Sequence, residues 1–246
     1  MDFKLLKKST VLLSLVNESV ARMTQSRNYY IAVVLSLTVV MNLQCQSVPI
    51  EKTIRFLALG DSYTIGESVA EDQRWPAQLT SKLAHKGYTI EKYDVVARTG
   101  WRTDDLRHAV EASHLPKDYN MVSLLIGVNN QYQGKELETY KVEFAQLLDI
   151  AITYAGGKKG SVFVVSIPDY GYTPFGKPKQ QQITREIDAF NKANKSISEQ
   201  KGVIYIDITP ISRRGLDKPE LVAADGLHPS GKMYALWVER ILKAIL

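Results

Sequence analysis

From Thr53 onward, short β-branched runs alternate with longer segments of helical period, and this alternation narrows the fold more than any other feature of the chain. Strands separated by helix-length connections must run parallel, because a tight hairpin cannot return the chain to the same end of a sheet. Five strands are expected: Ile54–Leu59, Thr89–Val96, Met121–Ile126, Val162–Ile167 and Val203–Ile208. The third and fourth are nearly continuous apolar runs, as strands covered on both faces should be, which places them centrally. Helices are expected at Trp75–His85, Thr103–Ala112, Leu137–Tyr154 and Thr184–Gln200, with a last one after Ser230. In that last segment Met233, Leu236, Trp237, Ile241 and Ile245 recur on one face. The stripe reads as a core-facing closing helix in preference to a membrane-surface one. The expected architecture is an α/β fold: a three-layer α/β/α sandwich with a flavodoxin-like, five-stranded parallel sheet. In such a sheet ligands gather beyond the carboxyl ends of the strands.

Composition matters at two points. The 246-residue chain carries a formal charge of +5. Most of this lies in the first 45 residues, with five Lys/Arg against two Asp/Glu, so the body has too small a basic surplus to track a phosphate backbone. Nucleic acid is therefore excluded as an expected partner. The single cysteine, Cys45, rules out an internal disulfide framework and a Cys-based zinc cluster. It follows an uncharged apolar run from Tyr29 to Leu43, preceded by Arg22 and Arg27. That run resembles a signal-peptide core and, at roughly 15 residues, falls short of the about 20 needed to span a bilayer. Residues 1–48 are accordingly expected to be a targeting segment and 49–246 one globular domain, with export to a bacterial cell envelope. Two readings of Cys45 stay open: a lipoprotein acceptor, against which the large Gln44 counts, and an incidental residue after an ordinary cleaved signal. A lipid there would be the only expected link to a membrane. Met23 offers a second start beside Met1, and the oligomeric state is not legible.

Three motifs fall at expected strand ends. Gly60-Asp61-Ser62-Tyr63-Thr64 follows the first strand, so the Ser62 hydroxyl and its own N–H lie at the edge where a nucleophile and an oxyanion donor are useful. A plain helix cap explains the same string. Gly127-Val128-Asn129-Asn130 follows the third strand and aims an Asn amide across the strand ends, although Asn also favours turns for conformational reasons. Between them, Arg98-Thr99-Gly100-Trp101 places a glycine where backbone can approach a ligand. The third motif, Asp225-Gly226-Leu227-His228-Pro229, precedes the last helix. A carboxylate three residues before a histidine can fold back onto its Nδ1–H and leave the other nitrogen to accept a proton. His85, His108 and His114 have no comparable partner and read as surface residues.

Taken in order over Ile54 to the closing helix, these blocks resemble the GDSL, or SGNH, hydrolase family, in particular its small esterase and lysophospholipase branch. The resemblance implies Ser62 as nucleophile, His228 as base and Asp225 as the orienting acid. It also implies an oxyanion hole made by Ser62, Gly100 and Asn129. Many members have Asp after the Asn, where this chain has Asn130. The implied chemistry is hydrolysis of a small-molecule acyl ester with no metal and no cofactor. In keeping with this, the chain has no HExxH, no CxxC pair and no phosphate-loop pattern, and Gly156-Gly157-Lys158-Lys159-Gly160 precedes a strand and reads as a turn. The segment Pro168–Gly176 carries Tyr170, Tyr172 and Phe175 at the same end as Ser62, as walls of a substrate pocket or as packing for the loop itself. Two substrate classes stay open, short to medium acyl esters and carbohydrate acetyl groups. Non-catalytic alternatives also remain: a flavin carrier, which Asp61 disfavours, and an envelope binding protein that has lost catalysis.

Overall fold

The computed structural model describes residues 52–246. The expected targeting segment and Cys45 lie outside the described residues. Five parallel strands form one sheet: β1 (Thr53–Gly60), β2 (Thr89–Ala97), β3 (Met121–Leu125), β4 (Val162–Val165) and β5 (Ile204–Ile206), in the order β2-β1-β3-β4-β5. Eight helices accompany them: α1 (Ser62–Ile65), α2 (Trp75–His85), α3 (Thr103–Ala112), α4 (Val128–Tyr132), α5 (Leu137–Tyr154), α6 (Gln180–Lys201), α7 (Thr209–Ser212) and α8 (Gly231–Ile245). The order is the expected flavodoxin-like one, with helices on both sides of the sheet.

The winding follows from connection handedness. The crossover through α2 carries the chain from β1 outward to β2, whereas those through α3, α5 and α6 carry it the opposite way along the sheet. Right-handed crossovers moving in opposite directions place their helices on opposite faces. Accordingly α2 packs on α8, while α5 packs on both α3 and α6. Every residue of β3 and β4 is buried, as their unbroken apolar character requires. On the α2/α8 side, Trp75, Leu79, Trp237 and Ile241 are fully or almost fully buried, and Phe56 lies 6.2 Å from Trp75. Each such side chain contributes roughly 1.5–3 kcal/mol on leaving water. The stripe on α8 thus faces the core, with Met233 buried and Leu236 and Ile245 packed at its margins.

Three elements differ from the sequence expectation by more than one residue at an end. β4 stops at Val165 because side chains take over its backbone partners: Asn191 on α6 accepts from the Ile167 N–H and donates to the Ile167 carbonyl. β5 ends at Ile206, and Ser166 Oγ accepts the N–H groups of Ile208 and Thr209 beyond it. α6 begins at Gln180, four residues ahead of the expected Thr184, continuing directly from a 3₁₀ turn at Lys177–Lys179. Its first residues, Gln180 to Gln182, are polar and so carry no apolar periodicity.

One glycine fixes how β3 turns toward the site. Gly127 has φ +127°, and a Cβ there would collide with the Tyr140 hydroxyl and lie 2.8 Å from Ile167 Cδ1. Gly127→Ala is expected to lower stability by roughly 3 kcal/mol, through backbone strain and overpacking together. Urea denaturation checks this: the midpoint should fall at unchanged slope, and an unmoved midpoint would contradict the steric account.

Candidate active site

The strand order reverses between β1 and β3, and the loops that leave these strands flank the gap at the switch point. A cavity of about 190 Å³ opens there, and Ser62, Gly100, Asn129 and His228 all line it. Its apolar wall includes Tyr132, Tyr170, Phe175 and Leu227. The structure thus gathers four of the five sequence-selected catalytic and oxyanion residues around one space, and the fifth, Asp225, is bonded to His228.

Ser62 is the first residue of α1, immediately after β1. The capping role belongs to Asp61, whose carboxylate accepts the Tyr63 N–H at 3.0 Å, so Ser62 is not consumed as a cap. Among the described residues Ser62 Oγ makes no hydrogen bond, and neither the Ser62 nor the Gly100 N–H has a partner. Gly100 adopts φ +85°, a conformation that glycine enters without penalty.

Asn129 and Gly100 come from different loops yet are tied together. Asn129 Nδ2 donates to the Trp101 carbonyl at 2.9 Å, which fixes the amide's orientation because a carbonyl can only accept. One N–H of that amide is left over. The neighbouring Asn130 accepts the Thr103 N–H at 3.1 Å and donates to Thr103 Oγ1 at 2.6 Å. Thr103 Oγ1 in turn donates to Glu143. A hydroxyl whose proton is committed to a carboxylate needs a donor for its lone pair, and an ionised Asp cannot supply one. Asn130 thus completes a buried bridge between the two loops.

His228 sits on a narrow reversal. Ala223 N–H bonds the His228 carbonyl at 2.7 Å, Ser230 N–H bonds the Leu221 carbonyl at 2.9 Å, and Val222 pairs with Pro229. Within it Asp225 folds back. Its Oδ1 accepts the N–H groups of Leu227 and His228 at 2.9 and 3.0 Å, and its Oδ2 lies 2.6 Å from His228 Nδ1. An ionised carboxylate accepts only, so Nδ1 carries the proton and Nε2 of the neutral ring is the acceptor. Partial burial pushes the Asp225 carboxyl up. Hydrogen bonds from Ser68, His228 and the two amides outweigh it and hold the group well below the usual carboxylate range. Sequence reasoning had not singled out Ser68, whose Oγ donates to Asp225 Oδ2 at 2.6 Å. The Tyr63 ring flanks the imidazole, tilted at 5.6 Å.

Of the three aromatics selected after β4, Tyr170 and Phe175 line the cavity; Tyr172, which the sequence also offered as a pocket wall, is half-buried and does not line it. The loop is pinned by the fully buried Asp169. This carboxylate accepts from Gly171 N–H, Thr184 Oγ1 and Arg213 Nε. Tyr132, from α4, was missed in the sequence and stands 59% exposed at the cavity mouth, 6.2 Å from both Tyr170 and Phe175. A second cavity of about 330 Å³ lies beyond these three rings, bounded also by Lys179, Gln182 and Glu186. His85, His108 and His114 are exposed. Among the described residues no group of His, Cys, Asp and Glu is placed to hold a metal ion, and no helix is long and apolar enough to cross a membrane.

The other carboxylate of the first motif is in the opposite situation. Asp61 is completely buried, its Oδ2 has no hydrogen-bond partner among the described residues, and burial pushes its carboxyl up to about 7. It points into the core, so the sequence argument that it would repel a phosphate from the site does not hold. An acid whose folded pKa exceeds its unfolded 3.8 stabilises the fold fully below that value and loses the contribution as pH rises toward 7. Asp61→Asn keeps an acceptor for Tyr63 N–H and removes the titration. Melting temperatures followed over that interval should fall for the wild type relative to the variant. Parallel curves would show that Asp61 does not carry the effect.

The comparisons with known proteins bear on the family and the fold. The model of the GDSL-like lipase/acylhydrolase family matches residues 58–236. Among solved structures, TesA superposes with a TM-score of 0.63 at 18% identity, covering 79% of this chain and 99% of that one. Axe2, an acetylxylan esterase from Geobacillus stearothermophilus, gives 0.62 at 19% identity over 80% and 96% of the two chains. The psychrotrophic esterase EstA from Pseudoalteromonas sp. gives 0.57 at 17% identity over 79% and 96%. At these identities the superpositions speak for the fold. No curated protein matches the sequence.

Proposed function

The chain belongs to the GDSL-like lipase/acylhydrolase family, and from that premise we propose that it is a serine esterase that hydrolyses small acyl esters, with Ser62 as nucleophile. The observation that supports this most directly is the single cavity lined by Ser62, Gly100, Asn129 and His228, with Asp225 held on Nδ1 of that histidine.

In this mechanism the ester carbonyl carbon sits over Ser62 Oγ. Attack forms the Oγ–C bond as Nε2 of His228, which lines the same cavity, takes the hydroxyl proton. Asp225 keeps the ring in the required tautomer and stabilises the imidazolium. The carbonyl electron pair moves onto oxygen, where the unpaired N–H groups of Ser62 and Gly100 and the remaining N–H of Asn129 are the donors, each worth ~3 kcal/mol in the transition state. Collapse breaks the bond to the alcohol, which takes the proton from His228. Water then repeats the sequence on the acyl-enzyme, delivering its proton to His228 and releasing the acid. None of these steps draws on a metal or an organic cofactor.

The cavity holds an acyl group of modest size, since pockets for larger ligands begin at about 300 Å³. A short-chain acyl ester of the arylesterase kind is therefore the primary reading. A carbohydrate acetyl ester is the second, favoured by the exposed faces of Tyr132 and Phe175 at the mouth, which offer a stacking surface for a sugar ring. Export to a bacterial envelope, with Cys45 as a lipid acceptor, belongs to the proposal on sequence grounds alone.

A fluorophosphonate probe is expected to label the protein at Ser62, and Ser62→Ala to abolish labelling. A folded wild type that stays unlabelled refutes the hydrolase reading and favours a binding protein on the same scaffold. His228→Ala should lower kcat for p-nitrophenyl acetate by ~10³-fold or more, whereas unchanged turnover would remove His228 as base. A panel of p-nitrophenyl esters from C2 to C12, run beside acetylated sugars, separates the two substrate classes.

A further inference from the structure

Ser68 lies in the segment between α1 and α2 and, among the described residues, is the one non-glycine with positive φ, at +66°. A side chain in that conformation costs about 1–2 kcal/mol, and glycine is the residue that avoids the cost. Gly66, two residues earlier, has φ +72° and is glycine for two reasons, the backbone angle and the Arg74 side chain packed where a Cβ would stand. At position 68 the side chain has a definite use. Its hydroxyl donates to Asp225 Oδ2 at 2.6 Å across 157 residues of sequence, onto the oxygen that faces His228 Nδ1.

The need for such a contact follows from where Asp225 sits. Its side chain is 30% exposed, so water has access to the carboxylate. The Leu227 and His228 amides hold Oδ1, but Oδ2 has a second lone pair beside the imidazole. A freely exchanging water there would leave the carboxylate able to twist about its last bond. A fixed hydroxyl stops the twist and also tempers the carboxylate's pull on the imidazole proton.

We propose that Ser68 is a positioning residue, whose hydroxyl locks the Asp225 carboxylate in register with His228 at the expense of backbone strain. The inference deepens the esterase reading and rests on it for its kinetic consequence. It also means that the segment carrying the nucleophile Ser62 reaches across and grips the acid–base pair directly. The other titratable and charged groups nearby are Tyr63 against the imidazole and Tyr234 on α8, within electrostatic range of Asp225, with Glu67 and Arg74 in turn within range of Tyr234. All of them are common to the variants compared below.

The test uses the full chain with Ser68→Gly and Ser68→Ala. Both delete the hydroxyl, but only Gly relieves the strain, so Gly should melt at or above the wild-type temperature and above Ala. Both are expected to lose about tenfold in kcat on p-nitrophenyl acetate at unchanged KM. Both should also move the acid limb of kcat/KM to higher pH, because a carboxylate deprived of a donor holds the imidazolium more tightly. A Ser68→Gly enzyme with wild-type kcat and pH profile overturns the proposal, as does a kcat that simply follows stability across the two variants. If the wild type hydrolyses no ester, the esterase reading fails by itself. The positioning role is then read from the low-field Nδ1–H proton resonance of His228: displacement in Ser68→Gly upholds it, and an unmoved resonance overturns it.

Discussion

Parallel strands that wind outward in both directions from β1 and β3 leave a gap between their carboxyl ends that no crossover helix covers. Everything at the cavity depends on that gap. Ser62 leaves β1 on one side of it and Asn129 leaves β3 on the other, so residues 67 positions apart in sequence face a common space before any side chain is considered. The histidine arrives from the far end of the chain because α8 returns to pack on α2, beside the strand that carries the serine. Burial of Trp75 and Trp237 is thus as much a condition for the site as the polar residues are.

Polar bridges then remove the remaining slack. Asn129 to Trp101 and Asn130 to Thr103 couple the loops after β3 and β2, and Ser68 to Asp225 couples the loop after β1 to the histidine reversal. The two carboxylates of the first and last motifs show how environment divides one chemical group into two uses. Asp61, sealed in the core, favours its neutral form, whereas Asp225, partly open to solvent and surrounded by four donors, is kept ionised. Preorganisation of this kind is what makes donors effective against developing charge, since they need not reorient during the reaction.

The sequence carried the existence of all five strands, and three of the long helices to the residue, because buried parallel strands and amphipathic helices leave clear periods. It was less informative where side chains replace backbone partners, as Asn191 and Ser166 do past β4 and β5, since a short strand and a capped loop have the same apolar beginning. The motif residues were legible because Ser62, Gly100 and Asn129 follow strand ends and Asp225 precedes His228 at a fixed offset before the last helix. Ser68 was not, for its role depends on a backbone angle and a partner 157 residues away, neither of which leaves a local pattern. Tyr132 was hidden in a short helix with no period to read, and Tyr172 was overread because three aromatics in one loop do not reveal which of them turns inward.

The loop after β4 carries one more implication. Phe175 N–H bonds the Gly226 carbonyl at 3.0 Å, so the strand of chain that supplies the aromatic wall is stitched to the turn between Asp225 and His228. An insertion or deletion in that loop would therefore pull on the His228 reversal along with the aromatic wall. Tyr132, across the mouth, stands apart from that bond, so a change of side chain there alters the entrance and leaves the pairing of Asp225 with His228 in place.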